Sequence, residues 1–562
     1  MTWDLVIKGG RVIDGTGMRG FSADIAVSEG RIARIGRADG AAKRVFDADG
    51  LVVTPGFIDV HTHYDVQLDW DPIATPSSWH GVTTVLAGNC GFTLAPCRPG
   101  DLDWLAGMLS RVEGMPRAAL SEGLRFESGG FADFWDRFQG RVGVNVGGYV
   151  GHSAVRRWVM GDDACEREAR PDEIEAMQGL VRQAMVEGAV GFSTSQLDIH
   201  TCEDGRGVPS NYASSQEILA LASVLAEFDR GAIEIIPRSF NTGFDEEDRA
   251  LLLDLYRVSG RPIELSPLFP SAADPMAWRR ALDFVNEAFE RGVRLHPMFF
   301  SNRIEAHLRL LDTFLFDEYP VWREILTLPD PERLRALADG AVRERLRDDL
   351  AHTEGMAFIV NWSTLVVEEA TREQNRALVG RNIAELAEER GVDPLDCFLD
   401  LSLREDLHTN FETRADAEGQ KFIAQVVRET VRDPLVMAGA SDGGAHLASF
   451  SGADYTTRVI TDWVPDPLSL EQAIARLTQM PAAVHGLVDR GVLAVGARAD
   501  ITVFDPQRLA PGRAHLVADF PANSSRYVVD AEGYELTVVN GEIVMEGGKH
   551  SGALPGEVLH GG

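Results

Sequence analysis

Two histidines close the apolar run Val53-Thr-Pro-Gly-Phe-Ile-Asp-Val-His61-Thr-His63. At i, i+2 on a strand both imidazoles lie on one face, because strand side chains alternate with a period of two. Two neutral imidazoles converging at a strand end can hold zinc or another divalent metal. The alternative is a pair of histidines satisfied by protein hydrogen bonds. A thiol follows the next apolar run, in Leu86-Ala-Gly-Asn-Cys90-Gly-Phe-Thr. As a thiolate Cys90 would be a strong zinc ligand; otherwise it is a small buried side chain in a turn. An aspartate follows the last interior apolar run, in Met437-Ala-Gly-Ala-Ser-Asp442-Gly-Gly-Ala-His446. A carboxylate there could touch the same metal and take a proton from water held on it, or simply shape a glycine-rich turn.

These residues need a scaffold that brings strand ends together. The interior alternates apolar runs with amphipathic helical stretches such as Glu173–Glu187, Ser215–Phe228 and Trp278–Arg291. Strands are expected at Gly56–Val60, Thr83–Ala87, Val142–Val146, Ala189–Phe192, Ala232–Ile236, Pro262–Leu265, Val293–Leu295, Ala357–Val360 and Leu435–Gly439. Repeated βα units of this length fit a (β/α)8 TIM barrel, whose chemistry sits at the carboxyl ends of its strands. That places residues 55–489 in the barrel, with a helical insertion at about 307–350 that exceeds an ordinary βα loop. Both termini are rich in short strands with glycine turns, Tyr527–Val529 included, and read as one small β-sandwich built from residues 1–54 and 490–550.

Composition narrows the partners. The 562 residues carry a formal charge of −32, which repels nucleic acid and anionic membrane surfaces. Five scattered cysteines and the absence of a visible export signal argue for reduced thiols and a cytoplasmic location. No run approaches the roughly 18 apolar residues of a membrane span. A homo-oligomer is compatible with all of this.

Beyond these readings, the chain resembles the amidohydrolase superfamily, and within it the N-acyl-D-amino-acid deacylase branch. The likeness rests on Gly56-Phe-Ile-Asp-Val-His-Thr-His63-Tyr-Asp, Ser78-Trp-His-Gly-Val-Thr-Thr84, Gly88-Asn-Cys-Gly-Phe-Thr-Leu-Ala-Pro96 and Gly151-His-Ser-Ala-Val-Arg-Arg157. It continues through Gly191-Phe-Ser-Thr194, Ser441-Asp442-Gly and Gly491-Val-Leu-Ala-Val-Gly-Ala-Arg-Ala-Asp500-Ile-Thr-Val-Phe504. The resemblance implies a (β/α)8 barrel with a small β-sandwich and zinc-assisted hydrolysis of an amide. His61, His63 and Cys90 would be ligands, and Asp442 the general acid/base.

The chain departs from that pattern at two further ligand positions. Ile236 and Pro267 stand where the family has histidines, and Phe269 where it has a lysine. One metal held by His61, His63, Cys90 and Asp442 is the simplest set. Alternatives are replacement of the lost histidines by Glu234 and Glu264, or a barrel that binds a ligand without turnover. A bridging carbamylated lysine is disfavoured, since Lys421 is the one lysine in the interior and lies in a helix-like stretch. His152, Arg238, Asn361 and His446, each just past a strand candidate or Asp442, are candidate substrate contacts. His200, His296, His307, His352 and His408 carry no readable role. The expected reaction is hydrolysis of an N-acyl amino acid, with attack by water on the metal. A cyclic amide or a bulky apolar acyl substrate is the alternative, because the three replacements are apolar.

Overall fold

The apolar runs that end at candidate ligands become strands buried on both faces, as a parallel sheet covered by helices requires. The computed structural model describes residues 2–271, 273–300, 306–313, 315–353, 356 and 358–560. Among them, eight strands form one parallel sheet: β1 (Phe57–Thr62), β2 (Val82–Ala87), β3 (Asn145–Gly151), β4 (Gly191–Ser195), β5 (Ala232–Ile236), β6 (Ile263–Leu268), β7 (Leu295–Phe300) and β8 (Met437–Gly439). Each pairs with its neighbour in chain order. The ring closes where Thr62 pairs in parallel with Gly443, and His63 N–H donates to Gly443 O at 2.7 Å. The fold is therefore a (β/α)8 barrel, with helices such as Pro171–Val186 and Glu246–Ser259 returning the chain between strands. Ile58, Val60, Leu86, Tyr149, Met298 and Met437 fill its interior.

Eight of the nine strands expected in the interior are present. The ninth, Ala357–Val360, is not: Ala357 lies outside the described residues, and Phe358–Val360 form no strand. Phe358 instead meets Phe316 edge-on, with ring centroids 5.4 Å apart, inside a separate core. That core runs from Leu308 to Phe411 and is centred on Trp322, Phe316, Phe398 and Leu346. The insertion is thus longer than the 307–350 read from its helices. It also contains a sheet of three short strands, His307–Leu308, Leu365–Glu369 and Asn410–Thr413. Strands that pair across so many residues leave no local periodicity to read.

Both chain ends meet in one curled sheet of nine strands. Strands from Thr2–Val12 to Val52–Pro55 pair onward to Ile501–Phe504, Tyr534–Val539 and Glu542–Glu546. Tyr527–Val529 does not join them. It belongs to a hairpin, Ala510–Phe520 with Ser524–Glu532, that leaves the sheet and reaches the mouth of the barrel. There Tyr527 N–H donates to Leu447 O at 2.8 Å. No described helix is long and apolar enough to cross a membrane.

Asp500 joins the sheet to the barrel. Its carboxylate accepts from Arg490 Nη1 at 2.9 Å, from Asn145 Nδ2 on β3 at 3.0 Å and from Asn540 N–H at 2.7 Å. Asp500 and Arg490 side chains are each 4% exposed, so removing one strands the other's charge in the interior. Asp500→Ala is expected to cost about 3 kcal/mol of stability, the range for breaking a buried pair. Thermal unfolding checks this, with an unchanged melting temperature counting against it.

Candidate metal centre

The carboxyl ends of β1, β2 and β8 deliver the four residues singled out in the sequence. His61 is the penultimate residue of β1, and His63 follows it on the same face, with ring centroids 5.6 Å apart. Cys90 sits in the left-handed region at φ 58°, between Gly88 at φ 82° and Gly91 at φ 77°. Three such residues in four reverse the chain tightly after β2, which the flanking glycines make inexpensive. The Asn89 side-chain amide lies within 3.2 Å of Val60 O, Thr62 O and Leu86 O, and so braces β1 against β2. Asp442, at φ 46°, turns back over the ring from β8.

Ligand atoms of His61, His63 and Cys90 all lie within 4.8 Å of one another, and all three residues are buried. Cys90 Sγ is 3.5 Å from His61 Nε2; Asp442 Oδ1 is 3.3 Å from His61 Nε2 and 3.9 Å from His63 Nε2. A zinc tetrahedron with nitrogen, sulfur and oxygen ligands has edges of about 3.3–3.6 Å, given bonds of about 2.0–2.3 Å. Two of these three separations fall on that edge length, and the donor set suits zinc. The residues therefore fit a single metal.

Behind the histidines stand buried carboxylates. Glu264 Oε1 is 3.4 Å and Glu234 Oε1 3.9 Å from His61 Nδ1, the ring nitrogen other than the one beside Cys90 Sγ. Glu113 Oε1 is 3.3 Å from His63 Nδ1. Other oxygens are engaged: Glu234 Oε2 accepts from Cys90 N–H at 2.7 Å, and Glu264 Oε2 lies 2.8 Å from His485 Nε2 and accepts from Tyr149 OH at 3.2 Å. Burial opposes a charge on His61, yet Glu264, Asp442 and Glu234 more than offset it and hold its pKa up at about 10. Burial and then Glu234 push the Cys90 thiol well up. His63 is pushed well down by burial and by His61. Burial also raises Glu234 to about 8, whereas His485 and His61 overcome it at Glu264 and bring that group down to about 2.

The centre opens into a cavity of about 700 Å³. One wall is apolar, formed by Ile236, Phe240, Pro267, Phe269, Leu315 and Phe358. Of the candidate substrate contacts, His446 lines the cavity and lies 3.9 Å from Glu113 Oε2. His152 does not. It is fully buried at the start of a helix, between Thr194 Oγ1 at 2.8 Å and Glu217 Oε1 at 2.9 Å, in a structural network with Arg156. Arg238 is half exposed, 3.5 Å from Asp198, and outside the cavity lining. Asn361 is exposed in the insertion, where its Oδ1 accepts from Ser363 N–H and Oγ, because the strand expected before it is absent.

Glu113 and His200 also line the cavity and were not singled out in the sequence. Glu113 ends a helix in the long connection between β2 and β3, and no local pattern marks it. His200 lies past β4, its Nδ1 2.8 Å from Ser195 Oγ.

The model of the Amidohydrolase family matches residues 44–545. N-acyl-D-glutamate deacylase of Alcaligenes xylosoxydans xylosoxydans is 31% identical, over 89% of this chain and 87% of its own. Among solved structures, N-acyl-D-glutamate deacylase from Bordetella bronchiseptica, complexed with zinc and a phosphonate inhibitor, superposes with a TM-score of 0.68 at 27% identity over 100% of both chains. A D-aminoacylase, whose binuclear metal centre is described by one-metal activation and second-metal attenuation, gives a TM-score of 0.64 at 26% identity over 99% of both.

Proposed function

The chain belongs to the amidohydrolase family, and from that premise we propose that it is a zinc-dependent deacylase of N-acyl amino acids working with one metal per chain. The observation that carries the reading is the convergence of His61, His63, Cys90 and Asp442 beside the apolar side chains Ile236 and Pro267, which by the sequence resemblance stand in for the family's further ligands. Glu234 and Glu264 support one metal rather than two, because they approach Nδ1 of His61 rather than Nε2, which adjoins Cys90 and Asp442, and neither is among the residues lining the cavity.

When bound, the metal supplies Lewis acidity, polarising a carbonyl and acidifying water. The residues of the chain do the rest. His61, His63 and Cys90 fix the position of the charge. Asp442, 19% exposed on the cavity side, takes the proton from the attacking water and returns it to the amide nitrogen as that bond breaks. The apolar wall excludes water from the acyl chain. Phe269 in place of the family lysine also favours a second reading, a cyclic amide or a bulky apolar acyl group, which would use the same centre.

A screen of N-acyl D- and L-amino acids and cyclic amides with zinc-loaded protein tests the reading. Turnover of the acyl amino acids at one zinc per chain supports it; a fully loaded protein inert on the whole panel sinks it. Binding should also release protons, since Cys90 must become a thiolate and His61 must free its Nε2. With both groups held above their usual pKa, zinc affinity is expected to rise with pH between about 6 and 9. Calorimetry in buffers of different ionisation enthalpy reads the proton count, and an affinity flat with pH would contradict it.

A further inference from the structure

The cavity is also lined by polar side chains, His307 and Glu368 among them, where the insertion meets the C-terminal hairpin. His307 comes from one edge strand of the insertion sheet, Glu368 from the other, with Asn410–Thr413 between them, and Tyr527 from the hairpin. The His307 ring stacks on Tyr527 with centroids 4.0 Å apart and planes 14° from parallel. Its Nδ1 lies 2.8 Å from Glu368 Oε2, which also accepts from Tyr527 OH at 2.8 Å. Asn410 Nδ2 in turn donates to the Tyr527 oxygen. The His307 backbone N–H donates to Ser449 O at 2.6 Å, which ties it to the loop that carries Asp442 and His446.

Two contacts thus fix one edge and one face of the ring, and a third fixes its backbone. Its remaining nitrogen, Nε2, has no hydrogen-bond partner among the described residues, although the side chain is only 5% exposed and lines the cavity with the metal centre. A docking contact between two elements needs none of this aim. A fixed imidazole with one nitrogen free in a cavity is built to meet a polar group on a ligand.

We propose that His307, as the imidazolium, is the specificity-determining contact for a free carboxylate on the substrate, reached by Nε2–H while Nδ1–H is donated to Glu368. Arg513 and Arg414, the latter paired with Glu412 at 2.7 Å, also line the cavity. This assigns the carboxylate end to His307 and the acyl chain to the apolar wall, and supplies an anchor in a cavity where Phe269 can offer none. The assignment rests on the deacylase reading above.

The test compares an N-acyl amino acid with its methyl ester, which keeps the acyl group and side chain and loses the charge. Zinc-loaded wild-type protein should prefer the acid, and His307→Ala should raise KM for the acid about 10- to 100-fold, the range for one charge-assisted hydrogen bond. The ester should lose about threefold or less, being without that bond. Zinc content should not change, and His307→Gln, which retains a donor near Nε2, should recover part of the preference. In an Asp442→Asn background the same comparison is read as binding by calorimetry, so it does not depend on turnover. Equal affinity for acid and ester, or an acid preference that His307→Ala leaves intact, overturns the assignment. Selective binding of the acid without turnover in the wild type would count against the deacylase reading alone.

Discussion

Asp442→Asn is expected to lower kcat by about 10³-fold, within the range that general acid–base groups contribute, while leaving most of the zinc in place. The amide keeps the size and one oxygen of the carboxylate but cannot hold the proton that must travel from water to the leaving nitrogen. The three buried residues proposed as ligands, His61, His63 and Cys90, remain, so metal content measured by mass spectrometry should stay near one per chain. A variant that loses zinc and activity together would make Asp442 chiefly a ligand. A variant that retains both would remove it from the reaction.

The second large effect is expected behind the ligands. Glu264→Gln should weaken zinc binding about 10- to 100-fold, the usual cost of losing the partner that orients a ligand histidine. Glu264 Oε1 stands 3.4 Å from His61 Nδ1, so the carboxylate directs Nε2 at the centre and offsets its positive charge. Competition against a chelator of known affinity measures the loss. Stoichiometry separates this from the other role considered for Glu234 and Glu264. If the wild type holds two metals per chain and Glu264→Gln holds one, the glutamate is a ligand and the single-metal centre is wrong.

What could be seen beforehand follows the range of the interactions involved. His61 and His63 were legible because a two-residue spacing on a strand fixes relative orientation locally, and Cys90 because its flanking glycines announce a tight turn at the next strand end. The barrel was legible for the same reason, as each βα unit repeats within a few dozen residues. Ala357–Val360 misled because four apolar residues look alike in a strand and in a packed loop, and Asn361 was singled out only through that error. His307 was passed over because its partners Glu368 and Tyr527 are supplied by other strands, far along the chain. Glu113 likewise acquires meaning only once the connection after β2 folds back on His63.

The hairpin Ala510–Phe520 with Ser524–Glu532 also imposes an order of assembly. As the chain is synthesised, His61, His63 and Cys90 emerge early, Asp442 much later, and Tyr527 with the rest of the hairpin only near the end. A nascent chain therefore carries the four residues proposed to hold a metal before the hairpin whose Gly512, Arg513, Ala514 and Val529 line their cavity.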